Sequence, residues 1–166
     1  IKEYFANYFL HQSDLTFNIK KNTMEVHQKR AEPWIVTLID TGEHSQTGGR
    51  LGRVSEYIKD EDAFCFTYGD GISDIDISKL IKFHEEHGKD ATLTAAYSPG
   101  RFGALDIKDK QIRQFTEKPK GDGALINGGF FVLSPNVLDR ITGDDCVWEQ
   151  EPLKGLANDE NLMAYT

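Results

Sequence analysis

The apolar and polar positions at the start of the chain predict a helix followed by a β-hairpin. Residues 1–9 place apolar side chains at helical spacing. Residues 15–19 and 24–29 then alternate between apolar and polar types around a polar turn, a pattern typical of two antiparallel strands. A β-branched run from Ile35 to Ile39 predicts a further strand.

The remainder of the chain alternates between strand-like and helix-like patterns. The continuously apolar run 63–68 is typical of a short strand that is buried on both faces, and Asp76 is placed to cap a helix that ends at Gly88. The other predicted elements are a helix over 51–58, strands over 91–97 and 128–133, a hairpin formed by 104–107 and 111–115, and helices over 135–141 and 149–158. This order predicts an α/β sheet, mostly parallel, with a hairpin insertion.

Composition narrows the class of protein and the partners. The 166 residues carry a formal net charge of −8, with 39% hydrophobic and 28% charged residues, which is typical of a globular domain. This acidity argues against a nucleic-acid partner or an anionic membrane surface, although a local basic pocket for a phosphorylated ligand stays possible. No apolar run approaches membrane-spanning length. Two cysteines are too few for a disulfide framework, so we expect a cytoplasmic protein in which Cys65 is a buried apolar side chain.

A lone carboxylate follows the strand predicted at 63–68. Asp70 stands between Gly69 and Gly71, where the missing side chains leave room for a ligand. Ligands of open α/β sheets bind at the carboxyl ends of strands, and one carboxylate there can hold Mg²⁺ together with phosphates and water. The alternative is a tight turn in which Asp70 accepts hydrogen bonds from backbone N–H groups, and the Gly-Asp pair by itself favours this turn.

A second cluster of chemically useful residues follows the predicted hairpin. Lys118 precedes Pro119, which restricts its backbone to an extended shape and lets its charge project towards a phosphate. The neighbouring Glu117 could accept hydrogen bonds from sugar hydroxyls, and Asn127 offers both a donor and an acceptor beside two glycines. Each feature alone is also consistent with a solvated pair or a glycine-rich turn. Together with Asp70 they indicate a ligand site.

Three further segments carry weaker signals. Gly48-Gly49 and Arg50 precede a predicted helix and could contact an anion, but they match neither of the usual glycine fingerprints. Gly103, in "RFGAL", could expose its backbone to a ligand or only form a turn. The acidic "WEQEPL" segment at 148–153 favours helix capping over ligand contact.

The motifs "YGDG", "RFGAL", "EKP" and "INGGFFVL", in this order, resemble the sugar-1-phosphate nucleotidyltransferases. The segments "VTLIDTG", "TGGRL" and "WEQEPL" are similar to the cytidylyl branch of that family, and the resemblance covers residues 1–166. It implies a Rossmann-like α/β fold with a mixed, mostly parallel sheet flanked by helices and one β-hairpin insertion. It also implies a single nucleotidyltransferase domain that is incomplete at both ends. The family's glycine-rich signature would precede Ile1 and a second metal-ligating aspartate would follow Thr166, so this piece alone is expected to be inactive.

The resemblance implies transfer of CMP from CTP to glucose-1-phosphate, which yields CDP-glucose and pyrophosphate with Mg²⁺ as cofactor. It further implies a cytoplasmic homo-oligomer, for example a hexamer, that serves nucleotide-sugar and lipopolysaccharide O-antigen biosynthesis. The resemblance implies that Asp70 is the metal ligand and that Asp70 and Lys118 are the catalytic residues. The sugar phosphate would be bound by Lys118, Glu117, Asn127 and Gly103, and the nucleotide by Ser45, Arg50 and Gly69.

Three alternative functions remain open from the sequence. The same site could use UTP or dTTP with the same sugar phosphate. A related domain could sense sugar nucleotides without turnover, although such a domain would not need both Asp70 and Lys118. A metal-dependent glycosyltransferase would place two acidic residues closer together than Asp70 and Asp74.

Overall fold

The computed structural model describes residues 1–30, 32–97, 104–108, 110–116 and 125–166. Two compact units make up the chain, Ile1–Asp40 and Thr41–Thr166. We refer to them as the N-terminal unit and the main unit. That both units belong to a single nucleotidyltransferase domain stays a prediction.

The N-terminal unit consists of short local elements. Helices α1 (Lys2–Ala6) and α2 (Tyr8–His11) precede the strands β1 (Ser13–Asn18) and β2 (Thr23–Lys29). The strands pair antiparallel, which confirms the predicted hairpin, and Asn22 in the turn adopts a positive φ of 49°.

The prediction of a strand from Ile35 to Ile39 is wrong, since the structure shows no helix or strand there. Ile35 is 98% exposed, and none of the described strands pairs with this run. A β-branched run becomes a strand only when a neighbouring strand takes up its backbone hydrogen bonds, and no described segment does so.

The main unit alternates strands and helices. Its elements are α3 (Thr47–Arg53), a 3₁₀ turn (Ser55–Tyr57), β3 (Phe64–Thr67), α4 (Ile77–His87), β4 (Ala91–Tyr97), β5 (Ala104–Lys108), β6 (Gln111–Thr116), β7 (Leu125–Leu133), a 3₁₀ helix (Pro135–Arg140), α5 (Glu151–Asn158) and β8 (Leu162–Tyr165). Among the described residues, none of the helices is long and apolar enough to cross a membrane.

The central sheet is mixed. Its strand order is β3-β7-β4-β8; β7 runs antiparallel to both neighbours, whereas β4 and β8 are parallel. Three of the four strands therefore share one direction. Strands β5 and β6 form a separate antiparallel pair, which confirms the predicted hairpin insertion. The α/β fold class with a mixed sheet is confirmed, although among the described strands of the central sheet only β4 and β8 pair in parallel.

Helix α4 begins and ends where its sequence signals place it. The Asp76 carboxylate accepts a hydrogen bond from the Lys79 backbone N–H at 3.2 Å, and Gly88 closes the helix in the left-handed conformation at φ 61°. The cap satisfies one of the free N–H groups of the first turn, and glycine adopts the terminal conformation without steric cost. Asp76 is thus a helix cap, as predicted.

The core of the main unit packs α3 and α5 with the central strands and the segment around Trp148. Its buried members are Leu51, Ala91, Phe131, Leu133, Val137, Trp148 and Leu156. The side chain of Trp148 has 0% exposure and lies edge-on to Phe66 and Phe131, with ring centroids 6.0 Å away in each case. This cluster fixes the carboxyl end of β3 against the chain that precedes α5.

Strand β3 is not buried on both faces, so that prediction is wrong. It lies at the edge of the four-stranded sheet and pairs with β7. Its residues alternate between half-buried and exposed, and Cys65 is on the exposed side. An apolar side chain on an edge strand faces solvent when nothing packs on its face of the sheet. The expectation of a buried Cys65 is therefore also wrong.

Candidate functional site

The carboxyl ends of β3 and β4 meet the beginning of β7 at one edge of the sheet. The last residue of β3, Thr67, pairs with Phe130, and the last residue of β4, Tyr97, pairs with Leu125. Because β7 runs in the opposite direction, its first residues lie beside the segments that follow the other two strands. The sequence candidates Gly69, Asp70 and Asn127 all belong to this edge.

Asp70 lies on an open turn. The turn is closed by a 3.3 Å hydrogen bond from the Gly71 N–H to the Tyr68 carbonyl. A Cβ on Gly69 would meet no atom within 4 Å, and one on Gly71 would lie 3.9 Å from the Phe130 ring of β7. Asp70 itself is exposed, and its carboxylate makes no hydrogen bond to another described residue. Within the described part of the chain, the carboxylate therefore does not serve the turn and is available to a ligand.

A single carboxylate suits Mg²⁺ better than it suits a metal that prefers sulfur or nitrogen ligands, or one that needs all of its ligands from the protein. The described residues contain no group of three or more His, Cys, Asp or Glu side chains that could hold a metal. Mg²⁺ needs only one or two protein carboxylates when phosphates and water supply its other ligands. Asp70 is the described residue that would hold such an ion.

Beside this turn, Tyr68 joins the site to a distant acidic residue. Its hydroxyl donates to Oε1 of Glu149, and Oε2 of Glu149 accepts a second hydrogen bond from Thr47 Oγ1 at 2.8 Å. Thr47 Oγ1 in turn accepts from the Trp148 backbone N–H at 2.9 Å. Burial, followed by the hydrogen bond to the Glu149 carboxylate, raises the pKa of Tyr68 above its ordinary value. The phenol is therefore protonated and acts as the donor.

Asn127 lies on strand β7, beside the Tyr68 turn. Its Oδ1 accepts a 2.8 Å hydrogen bond from the Gly129 N–H. Gly129 has φ 79°, and a Cβ there would lie 3.1 Å from the Tyr68 ring. A glycine is needed at this position because both the backbone conformation and the close tyrosine exclude a side chain. The structure thus brings Asn127 to the edge that carries Asp70.

Two of the predicted nucleotide contacts take part in the loop that precedes α3. Ser45 is buried, and its hydroxyl donates to the Thr41 carbonyl at 2.6 Å. Arg50 donates from Nη1 to Thr41 Oγ1 at 2.8 Å and from Nη2 to the Glu43 carbonyl at 3.2 Å. These bonds give both side chains a structural role in the loop, and their contact with a nucleotide stays a prediction.

The pair Gly48-Gly49 meets protein rather than an open anion site. A Cβ on Gly49 would lie 2.3 Å from the Asp144 carbonyl oxygen, and one on Gly48 would lie 2.8 Å from the Cys146 carbonyl oxygen. The Gly49 N–H donates to the Cys146 carbonyl at 3.1 Å. These glycines allow α3 to approach the segment 144–146, which explains them without a phosphate.

Three candidates, Gly103, Glu117 and Lys118, lie outside the described residues, so their placement stays a prediction. In contrast, Tyr68, Glu149 and Thr47 were missed by the sequence analysis as site residues. Glu149 belongs to "WEQEPL", which was interpreted as a helix cap; however, α5 begins at Glu151 and the Glu149 carboxylate serves Tyr68 and Thr47 instead. The available signal was weak, because 81 positions separate Tyr68 from Glu149.

Comparison with known proteins gives similar sequences and a similar fold. The chain is 66% identical over 99% of its length to glucose-1-phosphate cytidylyltransferase of Salmonella typhimurium, and it spans 64% of that protein. It is 41% identical over 99% of its length to a protein of Bacillus subtilis named "Probable glucose-1-phosphate cytidylyltransferase", again spanning 64% of it. The crystal structure of HddC from Yersinia pseudotuberculosis has a TM-score of 0.51 at 22% identity, over 74% of this chain and 54% of that one, which indicates a shared fold.

The fold, the edge that carries Asp70 and Asn127, and these similarities agree with one further finding. Residues 12–159 match the family described as nucleotidyl transferase. The chain therefore belongs to the nucleotidyl transferase family.

Proposed function

We propose that the protein is a sugar-1-phosphate nucleotidyltransferase that transfers CMP from CTP to glucose-1-phosphate. The observation that carries the proposal is the open carboxylate of Asp70, which follows β3 at the edge where β7 brings in Asn127. The 66% identity to the Salmonella typhimurium cytidylyltransferase supports the choice of substrates. The chain spans about two-thirds of that relative's length, 64%, so the activity is proposed for the full-length gene product.

The reaction is an in-line displacement. A phosphate oxygen of glucose-1-phosphate attacks the α-phosphorus of CTP, a new P–O bond forms, and the bond to pyrophosphate breaks. Because a phosphate oxygen is already a nucleophile, the protein mainly positions the reactants and neutralises charge. A bound Mg²⁺ supplies charge neutralisation at the phosphates, and Asp70 would hold it.

The remaining residues are assigned by the motifs that they share with the sugar-1-phosphate nucleotidyltransferases. Lys118 holds the phosphate of the sugar, while Glu117, Asn127 and the Gly103 backbone contact the hexose hydroxyls. Ser45, Arg50 and Gly69 contact the nucleotide. The proposal includes a cytoplasmic location and a homo-oligomeric assembly, as in the sequence analysis.

A panel of nucleotides tests this function. The full-length gene product is given Mg²⁺ and glucose-1-phosphate with CTP, UTP, dTTP or ATP, and pyrophosphate release is followed. We expect release with CTP and little with the other three. Release with UTP or dTTP instead would preserve the reaction class and overturn the nucleotide, whereas no release with any nucleotide would overturn the enzyme and favour a sensing domain.

A matched pair of lysine variants tests the assignment of the phosphate contact. Lys118→Ala should lower kcat/KM about a hundredfold, since a fixed charge on a reacting phosphate is worth a few kcal/mol. Lys120→Ala removes an equal charge two positions away and should have little effect. Equal losses in the two variants would contradict the role of Lys118.

A further inference from the structure

We propose that Tyr68 and Glu149 are positioning residues that hold the turn 68–71 and, with it, the Asp70 carboxylate. The proposal rests on the proposed function, because it names how the proposed metal ligand is kept in place. In this account neither side chain touches the metal or the substrates. They act through Asp70, which is exposed.

The turn that carries Asp70 has little support on its solvent side. Gly69 and Gly71 flank the carboxylate, and glycine is the residue type with the greatest backbone freedom. A Cβ on Gly69 would meet no atom within 4 Å, and Ile72, which follows the turn, is 99% exposed. The turn is therefore held from its first residue, Tyr68, whose carbonyl accepts the Gly71 N–H at 3.3 Å.

The Tyr68 ring packs against the neighbouring strand β7. A Cβ on Gly129 would lie 3.1 Å from the ring, and the Phe131 ring meets it edge-on with centroids 6.0 Å apart. The preceding residue, Thr67, donates its hydroxyl to the Gly129 carbonyl at 2.9 Å. These contacts restrain Tyr68 on the side of β7, and its hydroxyl is held separately, by Glu149.

Glu149 ties this hydroxyl to the core. Its carboxylate accepts the Tyr68 hydroxyl on Oε1 and the Thr47 hydroxyl on Oε2, the latter at 2.8 Å. Thr47 Oγ1 also accepts from the Trp148 backbone N–H at 2.9 Å, and the Trp148 side chain has 0% exposure. A carboxylate that accepts one hydrogen bond on each oxygen has its own orientation fixed. A continuous series of hydrogen bonds therefore joins the backbone of a buried residue to the residue that closes the Asp70 turn.

This support behind Asp70 should appear as metal affinity. A ligand that is already in place binds its ion more tightly than one that must first be ordered, because only molecules with the correct geometry bind. Groups that orient a metal ligand through hydrogen bonds contribute roughly ten- to a hundredfold to the affinity. Because Tyr68 holds the backbone of the turn rather than the carboxylate itself, we expect an effect near the lower end, about tenfold.

The first test uses the phenylalanine variant, which retains the ring that packs against Gly129 and removes only the hydroxyl. In the full-length gene product, Tyr68→Phe should raise the Mg²⁺ concentration for half-maximal activity about tenfold and leave the KM for glucose-1-phosphate within about twofold. The matched control is Tyr57→Phe, an exposed tyrosine in the main unit that should change neither constant. An unchanged Mg²⁺ requirement, or equal increases in both constants, would overturn the proposal.

A second pair of variants probes the far end of the network. Thr47→Val retains the shape and removes the hydroxyl that orients Glu149, so it should raise the Mg²⁺ requirement in the same selective way. Thr47→Ser retains a hydroxyl and should keep most of the wild-type response. If the two variants behave alike, the hydrogen bond to Glu149 has no positioning role and the proposal is wrong.

A readout that does not need turnover separates this proposal from the proposed function. Hydrogen–deuterium exchange of the full-length gene product, with short labelling times and mass spectrometry, follows the peptide that contains the Gly71 amide. This amide donates to the Tyr68 carbonyl, so it should exchange about threefold faster or more in Tyr68→Phe and in Thr47→Val, and at the wild-type rate in Tyr57→Phe.

The two hypotheses can then fail separately. Unchanged exchange in a protein that releases pyrophosphate would overturn the positioning role and leave the proposed function intact. If the wild-type protein releases no pyrophosphate with any nucleotide, the proposed function fails, and faster exchange in Tyr68→Phe would still support the hold of Tyr68 and Glu149 on the turn.

Discussion

Each unit of the molecule contains one tyrosine that donates its hydroxyl proton to a glutamate. In the N-terminal unit Tyr8 donates to Glu32, and in the main unit Tyr68 donates to Glu149. The Tyr8 pair raises the pKa of Tyr8 to about 12, chiefly through the hydrogen bond, whereas burial is the first cause of the raised pKa of Tyr68. The same two residue types therefore experience different environments.

The surroundings account for the difference. Glu32 is exposed, and none of the described residues of 1–40 is buried. Glu149 is half-buried, is held by Thr47 and follows Trp148 in the core. A hydrogen bond at the surface competes with water, whereas one that is shielded and shared among several partners resists exchange. The comparison teaches that the same pair is shielded and shared with a further partner only where the core supports it.

The largest expected effect concerns the two tryptophans, one in each unit. Trp148→Ala should lower the free energy of unfolding by about 3–5 kcal/mol, because a fully buried ring leaves a cavity among Phe66 and Phe131. Trp34→Ala should change it by less than about 1 kcal/mol, since Trp34 is 62% exposed. Urea unfolding followed by circular dichroism measures both. Equal losses would show that the N-terminal unit holds a core of comparable strength.

A smaller effect is expected for the tyrosine hydroxyls themselves. Tyr68→Phe should cost about 1–2 kcal/mol of stability, because it removes one of the two hydrogen bonds that the Glu149 carboxylate accepts, and partial exposure reduces the loss. Tyr8→Phe should leave the denaturation midpoint unchanged, since water replaces the phenol at an exposed Glu32. A midpoint that falls more for Tyr8→Phe would reverse the comparison.

Titration of the phenols sharpens the comparison further. Glu32→Gln should return the pKa of Tyr8 from about 12 towards the ordinary value near 10, because the hydrogen bond to Glu32 is the chief cause. Glu149→Gln should leave the pKa of Tyr68 raised, because burial is its chief cause. Phenolate absorbance against pH measures both variants. A tyrosine whose pKa is higher in the folded than in the unfolded protein stabilises the fold at every pH below its ordinary pKa. This stabilisation is lost as the pH rises towards the pKa of the folded protein, so the free energy of unfolding should begin to fall above about pH 10.

The smallest expected effect is an acid response of the main unit alone. The Lys89 N–H donates to His87 Nδ1 at 2.9 Å, so the proton of the neutral His87 ring is on Nε2 and is donated to the Thr92 hydroxyl. The Thr92 hydroxyl in turn donates to His84 Nδ1 at 2.9 Å. Burial lowers the pKa of both imidazoles below the ordinary value near 6.5; the neighbouring His87 adds to the effect on His84, while Glu85 and Asp90 oppose it.

Stability from these neutral imidazoles is present above pH 6.5 and is lost as pH falls through their lowered pKa values. Urea unfolding at about pH 7.5 and 5.5 measures this loss, and His84→Asn should reduce it. The Glu32 carboxylate, whose pKa is lowered by Tyr8, matters only below about pH 4.3. An unchanged response in His84→Asn would show that other groups set the acid limit.

Much of the local structure was predictable from the sequence. The hairpin of β1 and β2, the capped helix α4 and the strands β3, β4 and β7 follow from alternation, cap residues and apolar runs. The turn that carries Asp70 was also predictable, because two glycines flank a carboxylate directly after a strand. These features depend on residues within a few positions of one another, and so their signal is contained in a short window of sequence.

Other features were decided only by tertiary structure. The sequence offered Gly48-Gly49 as a weak candidate for an anion contact, but the fold brings the backbone at 144–146 against these glycines. The run from Ile35 to Ile39 has strand-forming residues and no described partner strand, and Cys65 has an apolar type but lies at an exposed edge. In each case the outcome depends on whether a segment distant in sequence packs there, and among the described residues one does so only at Gly48-Gly49.

The sequence by itself determined the family, the α/β class and the presence of Asp70 and Asn127 beside glycines. Only the tertiary structure joined Glu149 to Tyr68 and to Thr47, across separations of 81 and 102 positions along the chain. The physical reason is that a hydrogen bond acts over about 3 Å in space, whatever the distance along the chain. Residue types can indicate which groups are able to donate or accept, and the packing of the sheet decides which of them meet.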